Sequence, residues 1–133
     1  MTLKKGFKQL LAEAEAKAPG ISVQEAQGKL GEGNTVFVDI RDVRELEREG
    51  MIPGAFHAPR GMLEFWVDPE SPYYKPVFTE DKTFILYCQS DWRGVLAAAT
   101  LKEMGLPKVF HLNGGYSEWR KAGAPTGKRP DKK

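Results

Sequence analysis

The chain has 133 residues, of which 41% are hydrophobic and 29% charged, proportions that are ordinary for one soluble globular domain. Its net charge of +2 is too small to predict nucleic-acid binding, and no stretch approaches the roughly 18 apolar residues of a membrane span. The N-terminal segment lacks the apolar core of a secretory signal, so we expect a cytoplasmic protein with no membrane partner. A single cysteine excludes an internal disulfide, a C-x-x-C redox pair and a cysteine-rich zinc site.

Hydrophobic spacing predicts strands that alternate with helices, which is typical of a parallel sheet covered on both faces. A first amphipathic helix is expected over residues 4–17, within an N-terminal extension of residues 1–19. The domain itself is expected over residues 20–126, and a disordered basic tail over 127–133. The domain's predicted elements are, in order, a helix from Ser22 to Leu30, strand 35–39, helix 42–49, strand 55–57, a helical turn at 61–67, strand 83–87, helix 93–104, strand 108–112 and helix 116–122.

The cysteine, Cys88, follows the apolar run 83–87 and precedes the helix that begins near Arg93. In a parallel sheet, ligands bind at this junction, beyond the carboxyl ends of the strands. Backbone N–H groups and the helix dipole favour negative charge there, so a thiol in this place is expected to ionise readily. We therefore interpret Cys88 as a nucleophile in an anion-binding loop.

Four residues separate Cys88 from Arg93, and this C-x4-R spacing resembles the active-site loop of the rhodanese (sulfurtransferase) family. Two more segments resemble that family in the same order along the chain. Residues 38–55, with Asp39, Arg41 and Asp42 followed by Gly50-Met51-Ile52-Pro53-Gly54-Ala55, are similar to its D-x-R-(D/E)…G-H-I-P-G-A stretch. Residues 113–125 are similar to its G-G-(Y/F/W)-x-x-W-x-x-A-G-x-P signature.

The resemblance implies a rhodanese-like α/β fold, a five-stranded parallel sheet flanked by helices on both faces. It also implies a sulfurtransferase that moves a sulfane sulfur from thiosulfate or another persulfide donor to a thiol or cyanide through a Cys88 persulfide, with no metal and no organic cofactor. Because no second cysteine can resolve the persulfide, the acceptor must be external, either a small thiol or a protein thiol.

The substrate-binding residues implied by the loop are those that follow the cysteine, with their main-chain N–H groups directed at the sulfur. Arg41, at the same edge of the sheet, either contacts substrate or pairs with a nearby carboxylate to hold the loops together. The possible partners are Asp39, Asp42 and Glu45. Arg60 is a further candidate at the rim. His57, His111, Tyr116 and Trp119 are interpreted as structural. The candidate substrate-binding residues are Gln89, Ser90, Asp91, Trp92, Arg93, Arg41 and Arg60.

Asp91 departs from the family, in which glycine is commonest at this position. A carboxylate that faced the pocket would repel a dianionic donor by about 1 kcal/mol at 4 Å in water, and would favour donors other than thiosulfate.

Two other functions stay open. The first is a rhodanese-fold sulfur-carrier or protein-binding module with little thiosulfate turnover, whose partner surface would include Asp91, Trp92 and the proline-rich segment 68–76. The second is a phosphatase or arsenate reductase, which the loop disfavours because such enzymes use the longer C-x5-R spacing.

Overall fold

The computed structural model describes residues 1–130, in which five short strands form one parallel sheet. The strands are β1 (Gly20–Ile21), β2 (Thr35–Asp39), β3 (Phe56–His57), β4 (Thr83–Tyr87) and β5 (Val109–Leu112), in the spatial order β1-β5-β4-β2-β3. The predicted five-stranded parallel sheet is thereby confirmed. Apolar runs predicted four of the strands, whereas β1 has two residues and is too short for a recognisable pattern.

Six α-helices surround the sheet: α1 (Phe7–Lys17), α2 (Val23–Gln27), α3 (Val43–Glu49), α4 (Leu63–Val67), α5 (Trp92–Met104) and α6 (Gly115–Lys121). Capping boxes begin two of them, with Ser22 and Glu25 at α2 and Asp42 and Glu45 at α3. None of the helices within residues 1–130 combines the length and the apolar character that crossing a membrane requires.

The two faces of the sheet carry separate core layers because side chains alternate along each strand. On β4, Phe84 and Leu86, followed by Cys88, join the layer that α4 and α5 cover. Ile85 and Tyr87 belong to the opposite layer, which α2 and α6 cover. Tyr116 and Trp119 are buried in that second layer, as the sequence predicted.

Helix α1 packs on the outer side of α5 and adds a small third layer. Leu11 and Ala14 of α1 lie against Val95 and Ala99 of α5. At the far end of this contact, Lys17 forms an ion pair with Glu103 at 2.7 Å. The N-terminal helix therefore covers the helix that follows the cysteine loop.

The sequence prediction starts the disordered tail at residue 127, which is too early. Gly127 exchanges two backbone hydrogen bonds with Met51, at 2.9 and 2.8 Å, so this residue is fixed against the body of the domain. Its pairing depends on a contact with a distant segment, which local composition does not show. The last part of the predicted tail, residues 131–133, lies outside the described residues.

Candidate active site around Cys88

Cys88 is the first residue after β4, at the carboxyl end of a central strand, and α5 begins four residues later. Its residue surface is only 1% exposed. The sulfur Sγ accepts a hydrogen bond from the backbone N–H of Asp91, over 3.2 Å. The chain therefore turns back over the sulfur, and the positive end of the α5 dipole lies beside it.

The start of α6 holds this loop from the other side. The amide of Tyr116 donates to the carbonyl of Cys88 at 2.8 Å, and the amide of Ser117 donates to that of Gln89 at 3.0 Å. Gly115, with φ of +63°, permits this approach, because a Cβ on it would lie 2.6 Å from the Cys88 carbonyl oxygen. The glycine pair of the C-terminal motif thus positions the loop that carries the cysteine.

The first turn of α5 leaves backbone donors available at the loop. Within residues 1–130, the amides of Trp92, Arg93 and Gly94 have no backbone or side-chain acceptor. Such groups at a helix start attract anions. Ser90 is exposed beside them, so its predicted role as a hydroxyl donor to substrate stays a prediction.

The side chain of Arg41 is 0% exposed and is enclosed by the groups around it. Its guanidinium binds Asp39 through Nε and Nη2, donates to the Gly50 carbonyl at 2.7 Å, and lies 4.3 Å from the ring centroid of Tyr116. Of the two roles expected for Arg41, the structure shows the ion pair with Asp39, and the burial of the side chain opposes a substrate contact. The residue instead ties the loop after β2 to the cysteine loop, through a hydrogen bond to Gln89.

Gln89 likewise directs its side chain into this structural network. Its Oε1 accepts from Arg41 at 3.1 Å, and its Nε2 donates to the Ser117 hydroxyl at 3.1 Å. The side chain of Gln89 is thus part of the support of the loop. Any contact of this residue with substrate would come through its backbone.

Arg93 lies at the mouth of the loop with its side chain 43% exposed. Both terminal nitrogens bind the carboxylate of Glu45 on α3, each over 3.0 Å. This hydrogen-bonded ion pair lowers the pKa of Glu45 and keeps it ionised. Arg93 therefore faces the site as a cation that is already paired. Its position in the first turn of α5 permits such an ion pair, but the sequence did not identify Glu45 as the partner.

The carboxylate of Asp91 is turned to the interior. Its Oδ2 lies 2.8 Å from Nδ1 of His111 on β5, and the residue is only 8% exposed. The predicted position of this carboxylate, on the pocket or on a partner surface, is therefore wrong. The residue serves the site through its backbone N–H, which binds Cys88.

The remaining candidates lie on the surface. Arg60 forms an ion pair with Glu64, at 2.8 Å, on the 3-10 turn that leads into α4. Trp92 is 60% exposed, and its ring centroid is 5.0 Å from that of Phe7. His57 is held by the carbonyl of Arg41 at 2.7 Å, in agreement with the predicted structural role.

The proline-rich segment and Trp92 lie near opposite ends of α5. Asp68, Pro69 and Tyr74 border a cavity of about 550 Å³ together with Met104 and Leu106, at the C-terminal end of α5. Trp92 lies at the opposite end of that 13-residue helix, about 20 Å away at 1.5 Å per residue. A partner surface that includes both segments would have to span this distance, so it stays a prediction.

Within residues 1–130, no group of three or more His, Cys, Asp and Glu side chains is arranged to hold a metal ion. The chemistry that the described residues offer is that of a thiol that receives one backbone N–H, close to the unpaired amides at the start of α5 and to one paired guanidinium.

The chain is similar to a known domain family and to several known proteins. The family model described as a rhodanese-like domain matches residues 22–122. The human thiosulfate:glutathione sulfurtransferase is 29% identical over 78% of this chain and 95% of its own length. A sulfurtransferase of Allochromatium vinosum is 30% identical over 69% of this chain and 78% of its own length.

A solved structure from Rhodopseudomonas palustris is similar over almost the whole chain. It is 48% identical, covers 96% of this chain and 98% of its own, and superposes with a TM-score of 0.91. It is described as a protein of unknown function and a possible tyrosine phosphatase.

Proposed function

The chain belongs to the rhodanese-like domain family, and from that premise we propose that it is a sulfurtransferase whose sulfur carrier is Cys88. The observation that carries the proposal is the position of the thiol. Its Sγ lies at the carboxyl end of β4, receives the N–H of Asp91 and adjoins the first turn of α5. Backbone donors around a sulfur stabilise negative charge on it, both in the thiolate and in a persulfide.

The proposed reaction has two halves. In the first, the Cys88 thiolate attacks the outer sulfur of thiosulfate, a new S–S bond forms, and the original S–S bond breaks as sulfite leaves with the electron pair. In the second, a thiolate acceptor attacks the outer sulfur of the Cys88 persulfide. The Cys88 thiolate leaves with the electron pair, and the sulfur departs as the acceptor's persulfide.

The placement of Asp91 supports thiosulfate as a donor. The one sequence feature that opposed a dianionic donor was electrostatic repulsion by Asp91. Its carboxylate is instead buried against His111, so this objection is removed. Arg93 is the cation available at the entrance, provided that a donor competes with Glu45 for its guanidinium. The human relative's name includes thiosulfate and glutathione, which supports the same donor and a low-molecular-weight thiol acceptor.

A sulfur-carrier or protein-binding role is the second candidate, and the exposed aromatic pair of Trp92 and Phe7 favours it. The chain has one cysteine, so each turnover needs an external acceptor, and a protein acceptor would need a surface near the loop. In this case persulfide formation would proceed while transfer to small thiols or cyanide would be slow.

The experiment that tests the proposal is a steady-state assay with thiosulfate as donor and either glutathione or cyanide as acceptor. A sulfurtransferase of this kind gives parallel double-reciprocal plots, because the two substrates never occupy the site together. The Cys88→Ser variant should give no turnover while its unfolding transition stays close to that of the wild type. Turnover that survives in Cys88→Ser would overturn the proposal. Phosphate release from an aryl phosphate, with no sulfur transfer, would support the phosphatase description of the Rhodopseudomonas relative.

The cytoplasmic location expected from the sequence also stays a proposal. Cell fractionation with an antibody to the protein would test it.

A further inference from the structure

Asp91 has a backbone conformation that places its amide on the reactive sulfur. Its φ is +87°, and it is the one residue other than glycine in residues 1–130 with a positive φ. Few side chains tolerate this left-handed region, and Asp and Asn are among those that do. The same residue donates its N–H to Cys88 Sγ at 3.2 Å, so a change in its backbone conformation would move the donor of that hydrogen bond.

A buried chain of side chains holds Asp91 in place. Its Oδ2 lies 2.8 Å from Nδ1 of His111, and Nε2 of the same ring lies 3.1 Å from Oε2 of Glu15. His111 is 0% exposed, whereas the side chain of Glu15 on α1 is half exposed. The contacts therefore run from the surface of α1, through β5, to the residue that binds the sulfur.

The space for this carboxylate depends on Gly94, one turn into α5. A Cβ on Gly94 would lie 2.9 Å from Oδ1 of Asp91. That oxygen is buried and has no hydrogen-bond partner within the described residues. The carboxylate thus occupies a closed space, and among residues 1–130 its only hydrogen-bond partner is His111.

These contacts determine whether the His111 ring needs one proton or two. An ionised carboxylate only accepts hydrogen bonds, and a neutral imidazole has a single N–H, so it can satisfy one of the two carboxylates. The charged groups that face the ring are Asp91, at the start of α5, and Glu15, from α1. On the β1 side the ring adjoins Gly20, where an added Cβ would lie 2.9 Å from Cε1 of His111. Both contacts are satisfied when the ring carries its second proton.

The electrostatics agree with this geometry. Burial opposes a charge on His111, but the hydrogen bond and attraction of Asp91, with a smaller contribution from Glu15, outweigh it and raise the pKa of His111. Burial raises the pKa of Asp91, which the hydrogen bond from His111 partly reverses. The pair as a whole therefore keeps a proton to higher pH than an isolated histidine would.

We propose that Asp91 is a positioning residue for the chemistry of Cys88, and that the chain Glu15–His111–Asp91 makes this positioning depend on a proton held by His111. The link to sulfur transfer rests on the function proposed above, whereas the effect on thiol reactivity does not. When His111 carries the proton, its positive charge balances the carboxylate of Asp91 and holds that residue in place, with its amide directed at the sulfur. When the proton is lost, one carboxylate contact loses its donor, and an uncompensated charge remains in the residue that contacts Sγ.

The first measurement follows the imidazole itself. The chain has two histidines, so the Cε1–H signals can be assigned with a His57→Gln variant and titrated by NMR. The pH midpoint of His111 is expected above the roughly 6.5 of a free histidine, and it should fall in Asp91→Asn. Asparagine keeps the size and the tolerance for positive φ while the charge is removed. A His111 midpoint that is unchanged in Asp91→Asn would overturn the proposal.

The second measurement is the rate of Cys88 alkylation by iodoacetamide between pH 5 and 10 in the folded protein. In the wild type the rate should rise as thiolate forms and then decline by about fivefold as His111 loses its proton. The decline should vanish in Asp91→Asn and in Asp91→Gly, which adopts positive φ freely and so guards against misfolding of the first variant. Identical profiles in wild type and both variants, or no reaction at any pH, would overturn the proposal.

Glu15→Gln and Glu103→Gln form a matched pair for the surface end of the chain. Each carboxylate links α1 to another element, but only Glu15 touches His111, since Glu103 binds Lys17. The pH profile should change in Glu15→Gln alone. Alkylation requires no sulfur donor, so it tests this inference separately from the proposed function. If the alkylation rate shows the expected pH profile but the protein transfers no sulfur, the proposed function is refuted and this inference stands.

Discussion

The guanidinium of Arg93 and the carboxylate of Glu45 form a two-point ion pair, with both N–O distances at 3.0 Å, at the entrance to the cysteine loop. An anionic donor that uses Arg93 must share or displace this carboxylate. We therefore expect Glu45→Gln to lower the KM for thiosulfate by about fivefold, equivalent to about 1 kcal/mol for a half-exposed pair. Steady-state kinetics at low ionic strength would measure the change.

The control for Glu45→Gln is Glu47→Gln, on the same helix, whose carboxylate faces Arg129 instead. Arg93→Lys should act in the opposite direction and raise the KM, because lysine lacks the planar fork that holds two oxygens. Unchanged kinetics in both Glu45→Gln and Arg93→Lys would assign the ion pair to structure alone.

The close contact of Gly115 with the cysteine loop gives a second prediction. Gly115→Ala should destabilise the fold more than Gly123→Ala does, although both residues have positive φ, at +63° and +73°. An added Cβ at Gly123 meets no atom within 4 Å, so only the backbone conformation opposes alanine there, at about 1–2 kcal/mol. At Gly115 the Cβ also meets the Cys88 carbonyl. Equal urea midpoints for the two variants would show that the loop moves aside without cost.

The buried pair of Arg41 and Asp39 gives a third prediction. Arg41→Met leaves the Asp39 carboxylate buried without its cation, which costs about 3–5 kcal/mol of unfolding free energy. The matched variant Arg44→Met removes an exposed ion pair to Asp42 and should leave stability near that of the wild type. Chemical denaturation would measure both. A stable Arg41→Met protein with an altered KM for thiosulfate would restore a substrate contact for Arg41.

The raised pKa of His111 predicts how stability depends on pH. Between about 6.5, where a free histidine titrates, and the higher folded pKa, the folded protein binds more protons than the unfolded chain. Stability should therefore be greatest below this window and fall as pH rises through it, by up to about 1.4 kcal/mol per pH unit. The change should be absent in His111→Gln and present in His57→Gln. Urea unfolding that shows the same pH dependence in wild type and His111→Gln would contradict this.

The sequence predicts much of this fold and only the centre of the site. The cysteine loop could be predicted because β4 is a run of apolar residues next to Cys88, and because the motifs have fixed spacing. The partners of the charged residues could not, since they lie far away in sequence: Arg93 meets Glu45 over 48 positions, and His111 meets Glu15 over 96. Arg41 is different, because its partner Asp39 is two positions away and was among the partners expected from the sequence.

The most direct test of the account is the intact mass of the folded protein after incubation with thiosulfate and removal of the excess. The account predicts a gain of about 32 Da, one sulfur atom, that a thiol reductant removes. The gain should be absent in Cys88→Ser. A folded wild-type protein that gains no mass with thiosulfate or with a low-molecular-weight persulfide, or a Cys88→Ser variant that gains the same mass, would contradict the claim that Cys88 carries the sulfur.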